Sequence, residues 1–134
     1  MTTAPFRHTL WRHAGTLLTA TGVGHTLTFV IHGHAAAVDI ARAGAFNAVV
    51  GHDDRLLVWY GGILEGAVMI VLGLFMTSWV RAVGRPVPRY VGWTTLGLGV
   101  SVVVLQPLAG TWLVVLVGLL ALSGPRARTA PEER

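Results

Sequence analysis

The sequence predicts an all-α fold: an integral membrane four-helix bundle with N- and C-termini cytoplasmic and a short amphipathic segment between helices 1 and 2. Hydrophobic residues make up 53% of the 134 residues, and the mean hydropathy is +0.63. A soluble domain of this size cannot bury that much apolar surface. The apolar residues form four stretches with the arginines gathered at one side of them, so we expect a single four-helix transmembrane domain over 1–134 with a flexible tail at 124–134.

The first two apolar stretches, 14–33 and 58–80, are long enough to be membrane spans. Each carries about the 20 apolar residues that a helix needs to cross a hydrocarbon core about 30 Å thick. A secretory signal peptide is the alternative for the first stretch, because arginines precede it and Ala35, Ala36 and Ala37 follow it. Its apolar region exceeds the roughly 7–15 residues of a signal-peptide core, which favours a retained span.

The last apolar stretch runs from Tyr90 to Ser123 and is interrupted by Gln106 and Pro107. Proline lacks the amide that a helix interior requires, and its ring clashes with the preceding turn. We therefore predict two short spans, 90–105 and 108–123, joined by a tight hairpin. One long kinked helix is the alternative.

The arginines predict the orientation, since the chain has no lysine. With four crossings, only Arg42 and Arg55 fall on the outer side. The other eight would face the cytoplasm: Arg7, Arg12, Arg81, Arg85, Arg89, Arg126, Arg128 and Arg134. This bias predicts a multi-pass cell-membrane protein with both termini cytoplasmic. The net charge of +4 then reflects arginines beside anionic membrane lipid, and no nucleic-acid partner is expected.

The connection between the first two helices, 34–57, mixes apolar and polar residues. Its apolar residues recur near helical spacing at Val38, Ala41, Ala45, Val49 and Val50. This spacing favours a short amphipathic helix lying on the outer surface, with an ordinary solvated loop as the alternative. Asp53 or Asp54 is placed to cap the second helix.

Cysteine is absent from the sequence, which excludes disulfide exchange, thiol redox chemistry and thiolate metal sites.

Glycine is abundant within the spans, where small residues let helices pack closely. Gly62 and Gly66 form a small-xxx-small pair on the second helix. Gly15 and Gly22 on the first helix and Gly92 and Gly99 on the third are a heptad apart. We expect all three sets to lie where helices meet.

Glu65 and His25 are ionisable residues inside the predicted spans, and they give most of the functional information. At about 1.5 Å of rise per residue, each lies about 10–12 Å below the outer end of its helix. Consecutive antiparallel spans usually pack together, so the imidazole and the carboxylate are expected within hydrogen-bonding reach. Catalytic acid–base roles for this pair are one hypothesis. A purely structural bond between helices is the alternative.

The residues around the pair favour a pocket open to the outer leaflet or outer face. Helical spacing puts Thr21, Thr28 and His32 on the same face of the first helix as His25. Gly61, Gly62 and Gly66 leave space beside Glu65. Gln106, at the outer end of the third helix, is expected at the rim. The predicted pocket residues are Thr21, Thr28, His32, Gly62 and Gln106.

A metal site is the weaker possibility at the outer side. The residues that could form it are His32, His34, His52, Asp53 and Asp54. Histidines near a membrane boundary are more often solvated polar anchors than metal ligands. Bis-histidine haem needs two buried histidines, and His25 is the only histidine predicted deep in a span. We therefore expect no metal and no cofactor.

Several segments carry a family resemblance. They are GTLLTATGVGHTLTF in the first helix, DDRLLVWYGG with a following LGLF in the second, RPVPRYVGWTTLGLGV, and LQPLAGTWLVVLVGLLAL. These segments cover most of the chain and resemble a family of small bacterial four-helix membrane proteins classed as a domain of unknown function. The resemblance implies the architecture and no particular activity.

Three functions remain open. The first is a membrane protein that binds a lipid-like small molecule or partners another membrane protein or a second copy of itself. The second is a membrane-embedded acid–base enzyme, an isomerase or cyclase acting on an isoprenoid or quinone-like substrate through Glu65 and His25. The third is a small transporter that would have to oligomerise to enclose a path.

Overall fold

The computed structural model describes residues 9–44, 48–105 and 110–125. Every regular element in these ranges is helical, which confirms the all-α class. A short 3-10 turn, Leu10–His13, precedes the first helix. The helices are α1 (Ala14–His32), α2 (His34–Arg42), α3 (Asp53–Leu56), α4 (Glu65–Val83), α5 (Arg89–Leu105) and α6 (Trp112–Leu122). A π-helical stretch, Leu57–Leu64, joins α3 to α4 without a break and is called the π segment below.

The chain divides into two compact units. The first unit, Gly15–Ser78, holds nearly all of α1, then α2, α3, the π segment and most of α4. The second unit takes the N-terminal turn and the chain from Trp79 onward. Each unit contains one antiparallel pair of long helices.

In the first unit, α1 and α4 approach each other at glycines. A Cβ atom at Gly15 would lie 2.6 Å from the carbonyl oxygen of Gly73, and one at Gly22 would lie 2.7 Å from that of Gly66. These distances are too short for non-bonded atoms, so any larger residue would push the two helices apart. The glycines predicted to serve packing on these helices lie where the backbones meet.

In the second unit, α5 and α6 form the other antiparallel pair. A Cβ atom at Gly92 would meet the side chain of Leu122 at 2.9 Å, and one at Gly99 would meet the backbone nitrogen of Val115 at 2.7 Å. Later residues of α5 therefore contact earlier residues of α6, as in an antiparallel pair. This arrangement excludes one continuous kinked helix. The predicted hairpin residues Gln106 and Pro107 lie outside the described residues.

Two helical stretches, Leu10–His32 and Asp53–Val83, are long and apolar enough to cross a membrane by length and composition. The second begins before the predicted span 58–80, because α3 and the π segment continue into α4. The helices at the other two predicted spans are apolar but shorter, with 17 residues in α5 and 11 in α6.

The connection between α1 and α4 is folded. Ala36 and Ile40 of α2 are buried against Ala48 and Val58. The predicted amphipathic helix therefore exists over His34–Arg42, and its apolar face packs against the start of the π segment. The alternative of an ordinary solvated loop is wrong for His34–Arg42, whereas residues 48–52 form a turn.

An arginine ties this connection together. Arg55 places Nη2 3.6 Å from Oδ2 of Asp39, and its Nη1 donates to the carbonyl oxygen of Ala48 at 3.1 Å. The predicted aspartate cap is wrong, because His52 occupies the N-cap position and no side chain caps α3. Asp53 and Asp54 lie in the first turn instead, where a carboxylate interacts favourably with the helix dipole.

At one end of the second unit, three distant parts of the chain meet. Trp11 is buried in the N-terminal turn, Pro86 lies between α4 and α5, and Gly124 follows α6. A Cβ atom at Gly124 would lie 2.5 Å from Pro86 and 3.6 Å from the Trp11 ring. The indole nitrogen of Trp79 also donates to the Pro86 carbonyl oxygen at 3.3 Å. The N-terminal turn, the α4–α5 connection and the end of α6 therefore share one end of this unit.

Candidate functional site

His25 of α1 and Glu65 of α4 face each other within the first unit. Nε2 of His25 lies 3.7 Å from Oε2 of Glu65 and 2.6 Å from the carbonyl oxygen of Gly61. The second distance is that of a short hydrogen bond, whereas the first is too long for one. The structure thus places the two candidate catalytic residues side by side, but the prediction that they lie within hydrogen-bonding distance is wrong. His25 bonds to the Gly61 carbonyl instead, a role that the sequence does not predict.

The Gly61 carbonyl fixes the proton on the His25 ring. A carbonyl oxygen can only accept a hydrogen bond, so Nε2 must carry a proton and donate it. In a neutral imidazole the other nitrogen, Nδ1, is then an acceptor. Among the described residues, no group donates a hydrogen bond to Nδ1 or to the Glu65 carboxylate.

The π segment makes the Gly61 carbonyl accessible to His25. In an α-helix the amide of Glu65 would donate to Gly61, four residues earlier. Here the Glu65 amide donates to the carbonyls of Tyr60 and Gly62 instead, and it makes no hydrogen bond to the Gly61 carbonyl between them. Thr26 on α1 also donates from Oγ1 to the Gly62 carbonyl at 3.4 Å. Two side chains of α1 therefore bond to successive carbonyls of the π segment.

The sequence signal for this arrangement is the Gly61–Gly62 pair next to Glu65. Paired small residues and π turns are both common causes of irregularity within long helices, and π turns occur frequently at functional sites. From the sequence we interpret these glycines as helix-packing residues and as open space beside Glu65, and we do not consider an irregular helix.

Phe29 packs beside His25 and over Gly62. The ring centroids of His25 and Phe29 are 4.9 Å apart with the planes tilted by 45°. A Cβ atom at Gly62 would meet Cγ of Phe29 at 2.7 Å, and one at Gly66 would collide with the Thr26 hydroxyl. The prediction that these two glycines leave open space is therefore wrong, because Phe29 and Thr26 fill it.

The pair is accessible from outside the helix interface. The His25 side chain is 21% exposed and that of Glu65 is 37% exposed. One helical turn from Glu65, the apolar side chain of Val68 is 57% exposed, and the adjacent Leu64 is also exposed. An ionisable pair thus opens onto an apolar surface.

The other predicted pocket residues on α1 bond to their own helix. Thr21 donates to the carbonyl of Leu17 at 2.9 Å, and Thr28 donates to that of Gly24 at 2.8 Å. His32 is exposed, with Nδ1 2.8 Å from the carbonyl of Thr28. They continue the face of His25 along α1 without a hydrogen bond to the pair. The predicted rim residue, Gln106, lies outside the described residues.

The outer histidines and aspartates do not form a metal centre in the part of the chain that is described. No group of three or more His, Asp or Glu side chains in these ranges could hold an ion. The five candidates are all exposed: His32, His34, His52, Asp53 and Asp54.

Fold and site together define an all-helical protein with two stretches of spanning length and a histidine–carboxylate pair between them. The chain belongs to a family of unknown function, DUF6463, whose model matches residues 9–128. This membership confirms the expected likeness to a family without an assigned function. No curated protein and no solved structure matches the chain.

Proposed function

We propose that this chain is a multi-pass bacterial cell-membrane protein that binds a lipophilic small molecule at the His25–Glu65 pair. The observation that carries the proposal is the partly exposed carboxylate on an otherwise apolar helix of spanning length. A charged side chain at the centre of a membrane helix costs about 2.5–3.5 kcal/mol or more, so such residues are rare and usually have a partner. A polar group on a bound molecule would supply that partner.

Four crossings with both termini cytoplasmic are part of the proposal. The meeting of Trp11, Pro86 and Gly124 supports it, because the N-terminal turn, the α4–α5 connection and the end of α6 then lie on one side of the bilayer. Eight of the ten arginines belong to that side. At about 1.5 Å per residue, α6 rises only about 17 Å, and local thinning of the bilayer accommodates such short spans.

The topology is tested with reporter fusions. Alkaline phosphatase is active only outside the cytoplasm, and green fluorescent protein exported unfolded does not fluoresce. We expect phosphatase inserted at the exposed Gly51 turn to be active and a C-terminal fluorescent fusion to be bright. An active C-terminal phosphatase would contradict the topology.

Binding is tested by native mass spectrometry of the protein purified in mild detergent. We expect a discrete small-molecule adduct on the wild-type protein that is lost in Glu65→Gln. The matched control is Asp54→Asn, which removes an exposed carboxylate on the outer side and should retain the adduct. A particle without adduct in all three proteins would argue against a bound ligand.

An acid–base enzyme is the second candidate. The fixed ring tautomer favours it, because a neutral imidazole with an acceptor nitrogen beside a carboxylate is a suitable general base. Its test is turnover of an isoprenoid or quinone-like substrate that Glu65→Gln abolishes without loss of helicity. An unchanged rate in that variant would eliminate this candidate.

A further inference from the structure

The hydrogen-bonding groups of the His25–Glu65 pair restrict the head group that the site can bind. This inference rests on the proposed function. When the His25 ring is neutral, its single N–H is used by the Gly61 carbonyl, and an ionised carboxylate has no proton to donate. The positions that remain on the pair, Nδ1 of His25 and the Glu65 oxygens, are all acceptors.

We infer that the ligand is a lipophilic primary amine, a hydrocarbon chain that ends in an ammonium group. An ammonium has three N–H donors and a positive charge. It can donate to the Glu65 carboxylate in a charge-assisted hydrogen bond, and its further N–H groups match the acceptor character of Nδ1 of His25. His25 is the residue that the structure places beside this carboxylate, and its Nε2 proton is directed to Gly61.

Two other kinds of head group fit the pair less well. A quinone or ketone presents only acceptors and would face the acceptors of the site with no proton between them. A fatty acid would add a second carboxylate beside Glu65, which like-charge repulsion disfavours. An alcohol can donate one hydrogen bond but brings no charge to balance the carboxylate.

The surface beside the pair suits a hydrocarbon body. Val68 lies three residues after Glu65 and therefore next to it on the α4 surface, and both Val68 and Leu64 are exposed. A chain attached to the ammonium can lie along this apolar surface. The inferred ligand therefore has a polar end that fits the His25–Glu65 pair and a hydrocarbon body that fits the exposed apolar surface beside it.

The test compares three probes that share one hydrocarbon: farnesylamine, farnesyl methyl ether and farnesyl trimethylammonium. The amine has charge and N–H donors, the quaternary ion has charge alone, and the ether has neither. Binding is measured by titration calorimetry in nanodiscs of phosphatidylcholine, whose zero net charge limits unspecific attraction of the cations. Empty nanodiscs supply the background.

We expect the amine to bind the wild-type protein about tenfold or more tightly than either other probe. This preference should disappear in Glu65→Gln and persist in Asp54→Asn. If all three probes bind alike, the site takes lipophilic molecules but the donor requirement is overturned while the proposed function stands. If none binds above background, both fail. The comparison among probes on the wild-type protein decides the question even where Glu65→Gln does not fold.

Discussion

His25 donates from Nε2 to the carbonyl oxygen of Gly61 across 2.6 Å, and this bond determines the chemistry of the site. It holds the imidazole beside Glu65, and in the proposed function the other ring nitrogen is the one that meets the ligand. In the π segment the Glu65 amide bonds to the carbonyls of Tyr60 and Gly62, so the Gly61 carbonyl between them is not engaged by that amide. A local irregularity before α4 therefore helps to orient the His25 side chain of α1.

Removing the imidazole should weaken the pairing of α1 with α4. His25→Leu removes the side-chain donor to the part-buried Gly61 carbonyl, and leaving a buried polar group unsatisfied costs about 1–3 kcal/mol. We expect a loss in this range in the free energy of unfolding, measured by circular dichroism during titration with a denaturing detergent. His25→Gln keeps a donor and should recover part of the loss.

The control is His32→Leu, which replaces an exposed histidine bonded only to its own helix. This variant should unfold close to the wild-type midpoint. Equal stability of His25→Leu and wild type would show that the Gly61 bond contributes nothing.

Two glycines on α1, two positions apart, should respond in opposite ways to alanine. At Gly22 a Cβ atom would lie 2.7 Å from a backbone oxygen of α4, whereas at Gly24 nothing lies within 4 Å among the described residues. Overpacking costs typically about 1–3 kcal/mol, so Gly22→Ala should lower stability. Gly24→Ala should leave it unchanged or raise it by up to about 1 kcal/mol through helix propensity. The same unfolding titration measures both variants, and similar values for the two would contradict the interface.

Arg55 should matter more than its ion-pair partner. The Asp39 side chain is 47% exposed, and solvent-accessible ion pairs contribute less than about 1 kcal/mol. Arg55 also donates to the carbonyl of Ala48, so Arg55→Gln loses two interactions and Asp39→Asn loses one. We expect faster amide hydrogen exchange in α2 for Arg55→Gln than for Asp39→Asn. Equal exchange rates would show that the Ala48 bond does not hold this connection.

Much of the α1–α4 pair could be predicted because the helical rise and the antiparallel order determine depth. His25 and Glu65 were assigned the same depth from the sequence, and the structure puts them 3.7 Å apart. Glycine positions such as Gly22 and Gly66 were predictable for a similar reason, since close backbones require small residues.

The Gly61–Gly62 pair indicates an irregular helix, but the hydrogen bonds of the π segment do not follow from it, because they involve partners on another helix. The carbonyls of Gly61 and Gly62 are bonded by side chains of His25 and Thr26, which are about 36 residues away in sequence. The filling of the space over Gly62 by Phe29 is likewise a tertiary contact that local spacing does not reveal. Sequence reasoning therefore found the two ionisable residues and missed what positions them.

The most direct test of the account is nitrogen NMR of ¹⁵N-histidine-labelled protein in nanodiscs at neutral pH, with His25 assigned by the signals lost in His25→Gln. We predict that Nε2 of His25 carries a proton, that Nδ1 does not, and that the Nδ1 signal moves when farnesylamine is added. A protonated Nδ1 in the unliganded protein, in the other neutral tautomer or in the imidazolium, would contradict the account.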